Sequence, residues 1–104
     1  MNKLLNEVND LVSRELCRAN KVNQLFVDEN HAWGVIDEEL WESEQSYAKL
    51  VLDTIVLRNS LCGGSAYRVV MRDLAQVRSR AIHTAAELIQ VAAMCDKAGM
   101  SLDD

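Results

Sequence analysis

The stretch RNSLCGGSAY, residues 58–67, contains the only pair of adjacent glycines in a chain of 104 residues with four glycines and no proline. Glycine and proline are the residues that most often interrupt a helix. Because this pair is the one strong interruption, the stretch predicts a turn between two long helices. The residues on either side of the turn are free to continue as helix.

The helix before this turn is predicted to run from about His31 to Arg58. Asp28 or Asn30 is suited to cap its amino end, because a short oxygen-bearing side chain accepts hydrogen bonds from the first free backbone amides. This helix is apolar on more than one side, through Leu50, Val51, Leu52, Ile55, Val56 and Leu57.

A helix that is apolar nearly all round must be covered on both sides, and a chain of this length has few elements with which to do so. We therefore expect a homodimer, or a dimer of dimers, in which partner helices complete a four-helix-type bundle. A thick core within one monomer is the alternative.

The helix after the turn is predicted to be capped by Ser65 and to stop at Gly99, which follows Lys97. Its apolar residues recur at helical spacing and form one stripe. The members of this stripe are Val70, Leu74, Val77, Ala81, Ala85, Leu88 and Ala92.

A first helix is predicted from about Asn2 to Asn23, where apolar residues recur at spacings of three and four. No segment shows the alternation typical of a strand. We therefore expect an all-α fold of three long helices in a single domain, residues 1–104.

Composition excludes several classes of function. The net charge of −5 leaves no dense basic face, so we expect no nucleic-acid polymer as partner. The three cysteines, Cys17, Cys62 and Cys95, are far apart and form no CxxC pattern, which fits a reducing compartment better than a disulfide or zinc framework. No stretch resembles a signal peptide or a membrane span, so a cytoplasmic protein without a membrane partner is expected.

The stretch HAWGVIDEELWESEQ, residues 31–45, places five carboxylates within eight residues. On a helix, Glu42 is a neighbour of both Glu38 and Glu39, and each like-charge pair costs about 0.2–0.5 kcal/mol. The helix dipole favours acidic residues only in the first turn, which this cluster has passed. The cluster is therefore either a solvated acidic face or a place where a cation binds.

One edge of the third helix carries Arg80, His83, Glu87, Gln90 and Met94. Glu87 stands among alanines and aliphatic residues, where a carboxylate is costly unless it is paired with a charge or a metal. It either forms an ion pair, for example with Arg80, or meets Glu39 and Glu42 across the helix interface. Three carboxylates with a carbonyl and water are the ligands that Mg²⁺ prefers.

These acidic and C-terminal stretches, HAWGVIDEELWESEQ and AAELIQVAAMCDKAG (residues 85–99), resemble MazG-like nucleotide pyrophosphohydrolases of the all-α NTP pyrophosphatase superfamily. The resemblance is to the short single-domain branch, in which a His-aromatic stretch leads into EExxE and a later helix reads E-x-I-Q-V-A-A-M. The EExxE motif falls on Glu38, Glu39 and Glu42. The second motif, usually ExxD, falls on Glu87 and Gln90, with glutamine in place of aspartate, and the gap between motifs is longer than usual.

The resemblance implies Mg²⁺-dependent or Mn²⁺-dependent hydrolysis of a nucleoside triphosphate to the monophosphate and pyrophosphate, in a house-cleaning or nucleotide-pool role. It implies Glu39, Glu42 and Glu87 as catalytic metal ligands. Glu38 is a further ligand or a base that orients water, and Gln90 is a weak ligand through its amide oxygen.

Four further residues are candidates for contact with the phosphates or the base of the substrate. Arg72 and Arg80 are candidate phosphate contacts, although each also suits a solvated cation or a structural ion pair. His31 and Trp33 are candidates for the base pocket. A local cap is the alternative for His31, and a core or dimer contact is the alternative for Trp33.

A second class of function remains open. The glutamine at position 90 and the long gap between motifs favour a non-enzymatic helical interaction or assembly protein that kept the bundle and lost catalysis. A carboxylate-bridged di-iron bundle is not expected, because it requires Glu-x-x-His pairs. Neither His31 nor His83 stands three residues after a glutamate.

Overall fold

The computed structural model describes residues 2–19 and 27–102, and these form three helices: α1, Asn2–Ala19; α2, Glu29–Cys62; and α3, Tyr67–Leu102. Neither described range contains a strand. The prediction of an all-α fold with three long helices is therefore confirmed. The predicted end of the first helix at Asn23 lies outside the described residues.

The amino end of α2 is capped by Asp28, one of the two predicted capping residues. Its Oδ1 accepts a hydrogen bond of 2.8 Å from the backbone amide of His31, and the Asp28 backbone is extended, as an N-cap requires. This bond satisfies one of the amides that the first helical turn leaves without a partner.

The turn falls on the predicted glycines, and α2 extends to Cys62, one turn beyond the predicted end. The backbone amide of Gly63 donates to the carbonyl of Asn59 at 2.8 Å, which closes the helix. Gly64 has a φ of 70°, in the left-handed region that other residues rarely adopt. A Cβ at Gly63 would lie 2.7 Å from the Asn59 carbonyl oxygen, so both glycines are required by the turn.

The predicted limits of α3 are wrong at both ends. The carbonyl of Ala66 accepts the first backbone bonds of the helix, from the amides of Val69 and Val70, so Ala66 occupies the capping position instead of Ser65. The helix also passes through Gly99 to Leu102. Gly99 has no positive φ, and a glycine that keeps helical dihedral angles costs a helix only about 1 kcal/mol relative to alanine.

The interface between α2 and α3, here called the seam, follows a heptad spacing of alternating three and four residues, the period of helices that pack side by side. Most seam positions are small or polar instead of leucine-like. On α2 the buried and half-buried seam residues are Ala32, Ile36, Glu39, Ser43, Ser46, Leu50, Asp53, Leu57 and Ser60. On α3 they are Asp73, Val77, Arg80, Thr84, Glu87, Val91, Met94 and Ala98.

Hydrogen bonds between the two helices hold this polar seam together. Arg80 Nε lies 3.0 Å from Asp53 Oδ2, and the Thr84 hydroxyl donates to the carbonyl of Ser46 at 3.4 Å. These pairs show that the two helices run antiparallel. Within the described ranges, an apolar core cluster lies at the end farthest from the turn and comprises Ala32, Met94, Val35, Ile36 and Ala98.

The predicted apolar stripe of α3 coincides with its buried face only in part, since Val77 lies in the seam whereas two leucines of the stripe are exposed. Leu74 is 42% exposed and Leu88 is 52% exposed, whereas Asp73 and Thr84 are buried. The physical reason is the choice of partner: α3 turns its polar edge toward the small and polar residues of α2. Leu74 and Leu88 are therefore left on the outside.

The chain is thin for its length. Its dimensions are 58 × 28 × 18 Å and its radius of gyration is 17.3 Å, against about 13 Å for a compact domain of this length. It exposes 7775 Å² of surface, where a folded monomer of the same mass exposes about 5,900 Å². No helix within residues 2–19 and 27–102 is both long and apolar enough to span a bilayer.

Candidate functional site

A cavity of about 270 Å³ opens where the three helices approach one another, and we call it the acidic cavity. Its wall carries four carboxylates, a histidine, an alanine and an amide. The lining residues are Glu15 from α1, Glu39 and Glu42 from α2, and His83, Ala86, Glu87 and Gln90 from α3.

The seam explains why these acids face inward. Glu39 and Glu87 both occupy heptad positions, so their side chains project into the interface between α2 and α3. Glu42 follows Glu39 by three residues and shares that side of the helix. Glu87 is accordingly only 18% exposed. The structure thus brings Glu39, Glu42, Glu87 and Gln90, predicted to meet, onto one cavity wall.

Glu39 is surrounded mainly by other carboxylates. Burial raises its pKa above the ordinary value of 4.5, and the charges of Glu42, Glu87 and Glu38 raise it further, in that order. Among the described residues, Gln90 supplies its one side-chain hydrogen bond: Gln90 Nε2 donates to Glu39 Oε1 at 3.4 Å. Glu38 is exposed and does not line the acidic cavity, although its charge acts on Glu39.

Glu87 is only half satisfied. Its Oε1 lies 2.7 Å from His83 Nε2, and the other ring nitrogen of His83 lies 3.8 Å from Glu15 Oε2. The alternative ion pair of Glu87 with Arg80 does not form, because Arg80 pairs with Asp53. Glu87 Oε2 is buried and has no hydrogen-bond partner among the described residues. A buried carboxylate oxygen without a partner is rare and costs free energy.

The remaining predicted substrate contacts lie elsewhere. Arg72 lies 3.2 Å from Asp73, near the turn, with 71% of its side chain exposed. His31 Nδ1 accepts a hydrogen bond of 3.2 Å from the amide of Val27, which is the local capping role considered for it. Trp33 is 53% exposed. None of these three side chains lines the acidic cavity.

Sequence analysis missed Glu15. It follows Leu11 by four residues and Val12 by three, so it continues the face of α1 that packs on α3. Val12 is buried and Leu11 is half-buried, which places Glu15 at the edge of the acidic cavity. The periodicity of α1 could have indicated this, because Glu15 is an acidic residue at a position that continues the apolar stripe of Leu11 and Val12.

The fold and this cavity define an all-α protein with a carboxylate-lined interface. In the part of the chain that the structure describes, no group of three or more His, Cys, Asp or Glu side chains is already converged for a metal ion. The donor set is nevertheless of the carboxylate and amide type that hard cations prefer. Comparison with known protein families, curated proteins and solved structures gave no match to the chain.

Proposed function

We propose that this protein is a Mg²⁺-dependent, MazG-like nucleotide pyrophosphohydrolase that converts a nucleoside triphosphate to the monophosphate and pyrophosphate. One observation carries the proposal: carboxylates from α2 and α3 share a cavity in which Glu87 Oε2 is buried without a partner in the described ranges. An oxygen left in this way is suited to a cation. The EExxE pattern on Glu38, Glu39 and Glu42 supports the same conclusion.

Glu39, Glu42 and Glu87 would hold the ion, and Gln90 would keep Glu39 oriented through its amide. A bound Mg²⁺ or Mn²⁺ would neutralise phosphate charge and lower the pKa of the water molecule that attacks phosphorus. The reaction forms a bond from this water to the α-phosphorus and breaks the bond to the oxygen that bridges to the β-phosphate. The proton of the water would pass to a carboxylate that lines the acidic cavity, because Glu38, the predicted ligand or base, is exposed outside it.

A house-cleaning or nucleotide-pool role in the cytoplasm follows from this activity. The test is a panel of NTPs, dNTPs and modified nucleotides with Mg²⁺ or Mn²⁺, in which released pyrophosphate is measured. Glu42→Gln should lower the rate by about 100-fold or more, since even the loss of a group that hydrogen-bonds to a metal ligand costs about 10–100-fold. Glu44→Gln is the matched control, because Glu44 is exposed and outside the acidic cavity.

Binding of the ion is measured separately from catalysis. At ten times the Kd, Mg²⁺ should stabilise the native protein by about 1.4 kcal/mol. The same rise in Tm is expected for Glu44→Gln but not for Glu39→Gln/Glu42→Gln. Equal shifts in all three proteins would make the cluster a solvated acidic face. A folded protein that is inert across the nucleotide panel would favour the interaction or assembly protein instead.

A homodimer, or a tetramer built from two dimers, is part of the proposal. Its support is the surface area above that of an ordinary monomer and the exposed apolar face of α2, formed by Tyr47, Val51, Leu52, Ile55 and Val56. Light scattering at micromolar concentration should report at least twice the chain mass. Leu52→Asp should shift the mass toward that of one chain, whereas Val27→Asp, outside α2, should not. A native protein that runs as a monomer would refute the dimer.

A further inference from the structure

A second cavity, of about 590 Å³, adjoins the acidic cavity between α1 and α3, and we call it the arginine cavity. Glu15 and His83 line both cavities, so the two are contiguous. The polar side chains on its wall are Arg14, Glu15, Arg78, Ser79, Arg80 and His83. A wall with three arginines and one carboxylate therefore lies directly beside a wall with four carboxylates.

Two of the three arginines form no ion pair with a carboxylate of the described residues. Arg80 is committed to Asp53 across the seam at 3.0 Å. Arg14 and Arg78 are exposed, and neither has a carboxylate within 4.0 Å among the described residues. Both also line a smaller cavity of about 230 Å³ with Glu7 and Asp10. Among the ion pairs of the described residues, none joins either of these carboxylates to an arginine. Helices α1 and α3 thus hold two guanidinium groups at one opening.

The chemistry of this opening selects a phosphate-type anion. A guanidinium presents a planar fork of donors that matches two oxygens of a phosphate, and two such groups suit a ligand with more than one phosphoryl unit. The Ser79 hydroxyl on the same wall is an additional donor. A single carboxylate ligand would use one fork and leave the second guanidinium without a partner.

We propose that Arg14 and Arg78 form a subsite for a diphosphate group, which in the substrate is the part released as pyrophosphate. The identity of the group in the substrate rests on the proposed function, because the reacting phosphorus would then lie at the acidic cavity. Binding of inorganic pyrophosphate does not rest on it. Arg14 and Arg78 therefore position the pyrophosphate leaving group, and the carboxylates of the acidic cavity lie beside the α-phosphorus.

The test is calorimetric titration with inorganic pyrophosphate in EDTA at low ionic strength, where exposed charges are least screened. The native protein and Glu39→Gln/Glu42→Gln are compared, since removal of two carboxylates should strengthen binding of the anion. In this double variant, adding Arg14→Gln or Arg78→Gln should raise the Kd for pyrophosphate by at least about tenfold, which is a loss of about 1.4 kcal/mol of binding free energy. Neither arginine has an ion pair within 4.0 Å in the described residues, so the Tm should stay unchanged.

Arg68→Gln in the same background is the matched control, because it removes one exposed arginine of α3 that lies outside the arginine cavity. Its Kd should stay within about twofold of the parent protein. The proposal would be overturned if pyrophosphate did not bind, or if the Arg14 and Arg78 variants bound it as tightly as the parent protein. It would also be overturned if Arg68→Gln weakened binding as much as they do. Pyrophosphate binding that depends on Arg14 and Arg78 without any nucleotide hydrolysis would keep the subsite and reject the enzyme. Nucleotide hydrolysis that is unaffected by substitution of both arginines would keep the enzyme and reject the subsite.

Discussion

Two regions of the α2–α3 seam place carboxylates under opposite conditions. At the end next to the turn, Asp73 is buried and accepts a hydrogen bond from the Ser60 hydroxyl. This bond, helped by Arg72, holds the pKa of Asp73 below its ordinary value of 3.8. In the acidic cavity, burial and the charges of neighbouring carboxylates hold the pKa of Glu39 above its ordinary value.

The difference separates a structural acid from one that is available for binding. The fold supplies donors and a cation to Asp73, so its charge contributes to the packing of α2 on α3. Around Glu39 the fold supplies further carboxylates and one weak amide donor, and the charge opposes folding unless something from outside compensates it. The seam thus contains a carboxylate with donors near the turn and a carboxylate among other carboxylates in the acidic cavity.

The largest expected effect is at the turn. Asp73→Ala leaves the buried Ser60 hydroxyl without its acceptor and Arg72 without its carboxylate, so the Tm should fall by several degrees. Thermal unfolding followed by circular dichroism measures this. Asp96→Ala is the control, because Asp96 is exposed on the same helix, and its Tm should be unchanged. An equal change in Tm for Asp73→Ala and Asp96→Ala would show that Asp73 does not stabilise the seam.

A smaller effect of opposite sign is expected in the acidic cavity. In EDTA at pH 7, Glu39→Gln should be more stable than the native protein by on the order of 0.5 kcal/mol, because one member of a like-charge group is gone. The sign follows from the raised pKa of Glu39: the folded state favours the protonated carboxyl. Stability from this group is present below pH 4.5 and is lost as pH rises through the raised value.

The advantage of Glu39→Gln should therefore disappear near pH 4, whereas Asp73 behaves in the opposite way. Its lowered pKa means that its stabilisation is present above about pH 3.8 and is lost as the pH falls below that value. Urea unfolding of the native protein, Glu39→Gln and the control Glu44→Gln at pH 7 and pH 4 measures the sign for Glu39, and the native protein compared with Asp73→Ala at pH 7 and pH 3 measures the sign for Asp73. Loss of stability in Glu39→Gln at pH 7 without metal would contradict the like-charge explanation.

The smallest effect is expected at Gln90. Gln90→Asp adds a negative charge to the cavity and removes the amide donor to Glu39, with a helix propensity cost of at most about 0.7 kcal/mol. Because divalent affinity rises with the number of charged ligands, the Mg²⁺ midpoint of hydrolysis should fall and the rate should rise. Mg²⁺ titrations of the two proteins measure both. An unchanged midpoint would place position 90 outside the metal shell.

The helices and the turn were predictable because their causes are local. The spacing of apolar residues, the Asp28 cap and the left-handed Gly64 each act within a few positions along the chain. The meeting of Glu39, Glu42 and Glu87 at one cavity was predictable as well. Two helices joined by a short turn pack against each other, and acids in their apolar stretches are costly to bury unless they share a polar cavity or a cation.

Sequence alone therefore determined three helices, the turn and the three central carboxylates of the site. Tertiary structure decided the rest: that α3 buries its polar edge, that Arg80 pairs with Asp53 and Glu87 with His83, and that Glu15 joins the wall. Partner choice depends on which positions face one another across an antiparallel seam. Each residue advances the helix by about 100°, so a small change in rotation or register exchanges every partner, and no local pattern records it.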